Sequence, residues 1–215
     1  LNVSGVRLDY STVPKNKINA GRLIPKLFEN NFKILLHLVP TKDEASVMTT
    51  REGKDHWRRF VTETLDQFHD QIESVELGST INRYQWAKAS ISDYMQIMKV
   101  GSEVCDQYGV KWLGPNVTDF SPFFNIGILS KLKFQKNLPY AHTNNLFVDR
   151  VGQAENIDPK VLSKFSEKLD LDFVRKAHLL STLSKRHGIE KTYSTYNYWT
   201  LDVKSEHKPR YVTEE

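Results

Sequence analysis

The side chains of this 215-residue chain that could do chemistry are two histidines in apolar surroundings, a few aspartates, and a group of asparagines, hydroxyls and aromatic rings. His37 and His142 could serve as general bases or metal ligands. No third ligand stands at a recognisable spacing and no His-Glu-x-x-His motif occurs, so no metal is assigned. Asn82, Asn116, Asn144, Asn145 and Asn197 each offer a donor and an acceptor, and Asp9, Ser79 and Thr80 add polar groups. With the rings of Tyr196 and Trp199, which can cover the apolar faces of a pyranose, they make a wall suited to a saccharide. The plain alternative is that Asn and Asp stand at strand ends because they suit turns. Ser79, Ser194 and Thr195 invite comparison with nucleophiles, but no Gly-x-Ser-x-Gly elbow presents any of them.

These residues need a scaffold, and hydropathy periodicity supplies one. It predicts a strand over 3–10, a short helix around Pro25, and a strand over 32–39 stopped by Pro40. An amphipathic helix follows from Trp57 to Ile72, then a strand over 74–78, and a second helix from Tyr94 to Tyr108 stopped by Gly109. A strand over 110–113 ends at Gly114-Pro115, and another covers 140–147. Asp158 and Pro159 open a helix that reaches Gly188, and Thr192 to Trp199 reads as a sixth strand.

Strands alternating with helices argue an α/β fold with a parallel sheet. Neither Gly-x-Gly-x-x-Gly nor a P-loop spacing occurs, so no nucleotide cofactor is expected and a (β/α)8 TIM barrel is favoured over a doubly wound sheet. A whole barrel runs to about 250 residues. Six visible units are therefore expected to form one incomplete barrel domain over residues 1–215, with the first and last strands outside the segment. In a barrel the C-terminal strand ends form the functional mouth, and the residues named above fall there.

Composition sets further limits. With 39% hydrophobic residues the chain can bury a core, and its longest apolar run, Ile34 to Val39, is interrupted by His37 and too short to span a membrane. Lone Cys105 excludes an internal disulfide, which points to a reducing, cytoplasmic setting. The balance of 30 Lys+Arg against 26 Asp+Glu is spread without long basic tracts, so neither nucleic acid nor membrane is expected as a partner.

Val75-Glu76-Leu77-Gly78-Ser79-Thr80-Ile81-Asn82, then Trp86 and Tyr94, then Gly109-Val110-Lys111-Trp112-Leu113-Gly114-Pro115, resembles the middle of the clan-A (β/α)8 glycoside hydrolases. Their fourth strand carries Glu-x-x-Asn-Glu-Pro-Asn, a Trp follows, and the fifth strand carries Gly-Pro. Val6-Arg7-Leu8-Asp9 is similar to their second-strand Val-Arg-x-Asp, and Ala141-His142 to their sixth-strand histidine. The resemblance implies a glycoside hydrolase-like protein that acts on or binds a saccharide, in bacterial surface-polysaccharide metabolism.

The chain departs from that pattern where chemistry would occur. The family's Asn-Glu pair falls on Ser79-Thr80, and the strand Thr192 to Trp199 has no acid where the nucleophile would stand. Retaining hydrolysis needs two carboxyls about 5 Å apart. An active enzyme would need relocated acids, and Asp119 and Asp149 are the candidate catalytic pair, since an inverting mechanism accepts a separation of about 6.5 to 9.5 Å. The alternative is a catalytically silent barrel that binds a carbohydrate or a protein. Glu76, inside its strand, is expected to be buried and structural, with Arg7 as its partner.

Overall fold

The computed structural model describes residues 3–147, 173–197, 200–202 and 210–212. Six strands form one parallel sheet in sequential order: β1 (Gly5–Ser11), β2 (Lys33–Val39), β3 (Ser74–Leu77), β4 (Lys111–Thr118), β5 (Ala141–Phe147) and β6 (Lys191–Asn197). Parallel neighbours require crossovers, and helices provide them. These are α1 (Pro14–Glu29), α2 (Lys42–Ser46), α3 (Arg51–Phe68), α4 (Tyr84–Ala87), α5 (Ile91–Gln107), α6 (Pro122–Phe134) and α7 (Phe173–Arg186). A separate antiparallel pair joins β7 (Thr200–Asp202) to β8 (Arg210–Val212). The six-stranded sheet is that of an incomplete (β/α)8 barrel, as the alternation of elements predicts.

The helices cover one face of the sheet. Tyr10, Ile34, Leu36, Leu38, Val75 and Leu77 alternate onto that face and are buried with α3 and α5 above them. Thr50 caps α3, its hydroxyl accepting from the Gly53 amide, and Ser90 and Asp93 form a capping box on α5. Trp57 on α3 donates its indole N–H to the Ile97 carbonyl at 3.0 Å, which locks the two helices together. Cys105 packs in this layer as a small hydrophobe, and burial pushes its thiol up to about 12. No helix among the described residues is long and apolar enough to cross a membrane.

Two expectations about boundaries need correction. The short helix around Pro25 is a 16-residue helix with Pro25 inside it. Proline forfeits one backbone hydrogen bond, but Ala20 and Ile24 are buried on the same helix, and that packing outweighs the loss. Gly114-Pro115 does not end β4. The strand continues to Thr118, with its register to β5 shifting between Leu113 and Asn116. Proline is tolerated in a strand at such an irregularity because no ladder bond is asked of it there. Helix α6 was not singled out by periodicity, since Phe123 and Phe134 are exposed while Ile128, Leu129 and Leu132 are buried, leaving no clean polar face.

Candidate functional site

The sheet face away from the helices carries a connected polar network. Arg7 and Asp9 on β1, His37 on β2, Glu76 on β3, Asn116 on β4 and Asn145 on β5 reach one another across five strands. Arg7 Nε donates to Glu76 Oε2 at 2.5 Å, and Asn116 Nδ2 donates to Glu76 Oε1 at 2.6 Å, so both carboxylate oxygens are satisfied. Asn145 Nδ2 donates in turn to Asn116 Oδ1 at 2.9 Å. Glu76 is 1% exposed. Burial pulls its pKa up, but the His37 and Arg7 charges and the two hydrogen bonds outweigh this and hold the carboxyl below its ordinary range. The expected Arg7–Glu76 pairing is thus observed, and Glu76 is out of reach of any ligand in the mouth.

His37 is held at both ring nitrogens. Nε2 faces the Gly78 carbonyl at 2.7 Å and must carry a proton, because a carbonyl only accepts. Nδ1 lies 2.8 Å from Arg7 Nη2 and 2.8 Å from Asp9 Oδ1. One ring atom cannot accept from the guanidinium and donate to the carboxylate at once, so a neutral ring belongs to Arg7 and a protonated ring to Asp9. The hydrogen bond from His37, opposed by partial burial and aided by the nearby charges, holds the Asp9 carboxyl below its ordinary value.

At the C-terminal end of β3 the chain turns at Gly78, with φ +72°. A Cβ there would stand 2.9 Å from the Tyr94 ring, so both space and backbone demand glycine. Ser79 and Thr80 follow, their hydroxyls 2.7 Å apart, and the Thr80 amide donates to Asn116 Oδ1 at 3.3 Å. They line a cleft of about 190 Å³ with Val39, Pro40, Trp86 and Tyr94. Trp86, on α4, is more than half exposed there. Tyr94 holds the floor, its hydroxyl donating to the Leu77 carbonyl at 3.1 Å and accepting from the Asn116 amide at 3.2 Å.

Other candidate residues have structural partners. Asn82 accepts from the Thr118 amide at 2.9 Å and donates to its carbonyl at 2.6 Å, standing in for a strand neighbour. Asp119 is ion-paired with Arg83, and its amide donates to the Asn145 carbonyl at 2.8 Å. His142 and Asn144 do not face the mouth. Because Asn145 points to Asn116, alternation along β5 sends residues 142 and 144 to the helix side. There His142 Nδ1 lies 2.8 Å from the Ser184 hydroxyl of α7, and burial drives its pKa down to about 4. Asn144 pairs in register with Val117, a member of the helix-side core. Tyr196 and Asn197 close β6, in register with Leu146 and Phe147. Asp149 and Trp199 lie outside the described residues.

Asp9, His37, Asn116 and Asn145 are therefore brought together on the concave face, while Ser79 and Thr80 sit at the neighbouring cleft. Arg83, which ties down Asp119, carried no motif that would have marked it. Trp86 belonged to the quoted pattern but was not placed among the binding residues, because its exposure depends on the short helix α4. Among the described residues no group of three or more His, Cys, Asp or Glu side chains could hold a metal ion. Hydroxyls, amides and exposed rings can bind a neutral hydroxyl-rich ligand, whereas protonating a leaving oxygen needs a carboxyl free of a fixed cation.

No protein-family model matches the chain, and no curated protein matches it in sequence. Solved structures do. A glucosidase from Croceicoccus marinus is similar with a TM-score of 0.56 at 12% identity, over 81% of this chain and 35% of the glucosidase. The GH53 catalytic domain from Ignisphaera aggregans gives 0.56 at 10% identity, over 92% of this chain and 75% of that domain. N2152 from Neocallimastix frontalis gives 0.51 at 11% identity, over 88% and 53%. The chain thus spans about a third of the glucosidase and half of N2152. At these identities the likeness establishes the fold alone, an incomplete (β/α)8 barrel, and the glucosidase and GH53 neighbours are of the kind that the clan-A resemblance of the sequence leads one to expect.

Proposed function

We propose that this chain is a glycoside hydrolase-like barrel protein that binds a saccharide at its strand ends without cleaving it. The observation that carries the reading is the Ser79–Thr80 hydroxyl pair in the cleft, standing where the resemblance expects Asn-Glu, with the exposed Trp86 ring beside it. Hydroxyls can bind a sugar but cannot supply the proton-donating carboxyl that acetal cleavage needs. Among the described residues, three carboxylates of the concave face and strand ends are engaged: Glu76 with Arg7 and Asn116, Asp119 with Arg83, and Asp9 with His37. The Ser79 and Thr80 hydroxyls and the Trp86 ring line one cleft, and a bacterial surface polysaccharide is the ligand class we favour for it.

Calorimetric titration with glucose oligomers, chosen because one fold neighbour is a glucosidase, tests this directly. Binding should weaken at least tenfold in Trp86→Ala, with no reducing ends released by the parent chain. Release of reducing ends that disappears in Asp119→Asn or Asp149→Asn would instead establish a hydrolase with relocated acids.

A further inference from the structure

The concave face has a second concentration of charge at the opposite, N-terminal end of its strands. Lys33, Lys111 and Lys191 are the first residues of β2, β4 and β6. Register carries all three to one side: Leu35 pairs with Ser74 and Ser74 with Lys111, while Leu113 pairs with Ala141 and Ala141 with Lys191. Side chains alternate along a strand, so these lysines share the face of Arg7 and Glu76. Barrel interiors are filled in layers drawn from alternate strands, ordinarily with branched aliphatic residues. Here β2, β4 and β6 each begin with an exposed lysine at the level of the lowest layer.

The compensation for these cations is thin. Lys33 Nζ lies 3.9 Å from Glu73 Oε1. Lys111 Nζ and Lys191 Nζ each stand 4.6 Å from the centre of the Tyr140 ring, and Lys191 also donates to its hydroxyl. Arg7 borders the same space but is committed to Glu76. A solvent-open cavity of about 260 Å³ lies among Lys33, Lys111, Glu73, Tyr140 and Tyr193. Lys33 and Lys111 line this concavity, Lys191 stands beside it on Tyr140, and among the described residues Glu73 is the carboxylate lining it, so ammonium donors from three strands can meet an anion with several acceptor oxygens.

We propose that this basal pocket binds a phosphate group, either free or carried on a sugar, independently of the strand-end cleft. Amide chemical shifts of the full chain should be followed while inorganic phosphate replaces chloride at constant ionic strength, and then with glucose 6-phosphate and with glucose. Saturable shifts confined to the strand starts around Lys33, Lys111, Tyr140 and Lys191, weakened at least tenfold in Lys111→Met/Lys191→Met and kept in Trp86→Ala, are expected. Tighter binding of glucose 6-phosphate than of phosphate identifies a sugar phosphate as the ligand, and equal binding identifies the free ion. Shifts that stay linear in phosphate, or that survive both the double substitution and Lys33→Met, overturn the proposal. The lysines are exposed, and unchanged melting temperatures would confirm that the variants fold.

Discussion

Arg7 and Glu76, 69 residues apart in sequence, meet at 2.5 Å across the concave face, with the carboxylate buried and the guanidinium partly open to solvent. Removing one partner of such a pair strands a buried charge, which costs about 3 to 5 kcal/mol, whereas replacing both by apolar groups is far milder. Arg7→Leu alone, which strands the Glu76 carboxylate, should therefore lower stability by that order, and Arg7→Leu/Glu76→Leu should recover a substantial part, as read from urea midpoints. Equal losses in the single and double variants would mean the pair is not the stabilising unit.

The same carboxylate sets an acid limb. Its folded pKa lies below the ordinary 4.5, so its contribution is fully present above about pH 4.5 and is lost as pH falls through the lower folded value. Asp9, also held low, adds in the same direction. Melting temperature should drop steeply between pH 4.5 and pH 3 in the parent, and less steeply in Glu76→Gln.

His142 acts at higher pH. It is buried neutral with its pKa driven down to about 4 from 6.5, so an unfolded chain binds its proton before the folded one does. The stability it supports is complete above about pH 6.5 and declines as pH falls toward 4, by about 3 kcal/mol at most. In His142→Leu the slope of unfolding free energy against pH across that window should flatten.

Tyr94→Phe removes a hydroxyl that serves two buried backbone groups, the Leu77 carbonyl and the Asn116 amide. Leaving buried groups unpaired costs about 1 to 3 kcal/mol. The variant should lose about 2 kcal/mol by denaturant unfolding while keeping its far-ultraviolet circular dichroism.

Asn82 permits a sharper comparison. Asn82→Asp keeps the acceptor for the Thr118 amide but turns an oxygen toward its carbonyl, so it should destabilise at least as much as Asn82→Ala, by about 1 to 2 kcal/mol. A neutral effect in thermal unfolding would show that the clamp contributes nothing.

How far the sequence could be read depended on the range of the interactions involved. Strand and helix order followed from local periodicity, because burial on one face imposes it residue by residue. Arg7 was traceable as the partner of Glu76 because a buried acid inside a strand needs a cation. His142 and Asn144 were misplaced since the direction of a side chain depends on the parity of β5, which the register shift after Leu113 disguises. Pro25 and Gly114-Pro115 misled because packing and an irregular ladder absorbed residues that usually terminate an element. The Arg83–Asp119 pair, joining the segment after β3 to the end of β4, has no local signature.

Tyr94 belongs to α5, yet its hydroxyl occupies a place in the seam between β3 and β4 that a peptide group would ordinarily fill. The Asn116 amide is thereby guarded by a helix and not by a neighbouring strand. Its exchange with deuterated solvent will report the lifting of α5 from the sheet, while the amides of β2 and β3 report separation of the strands themselves. Two kinds of opening that are usually inseparable in a barrel wall can thus be timed independently in this chain.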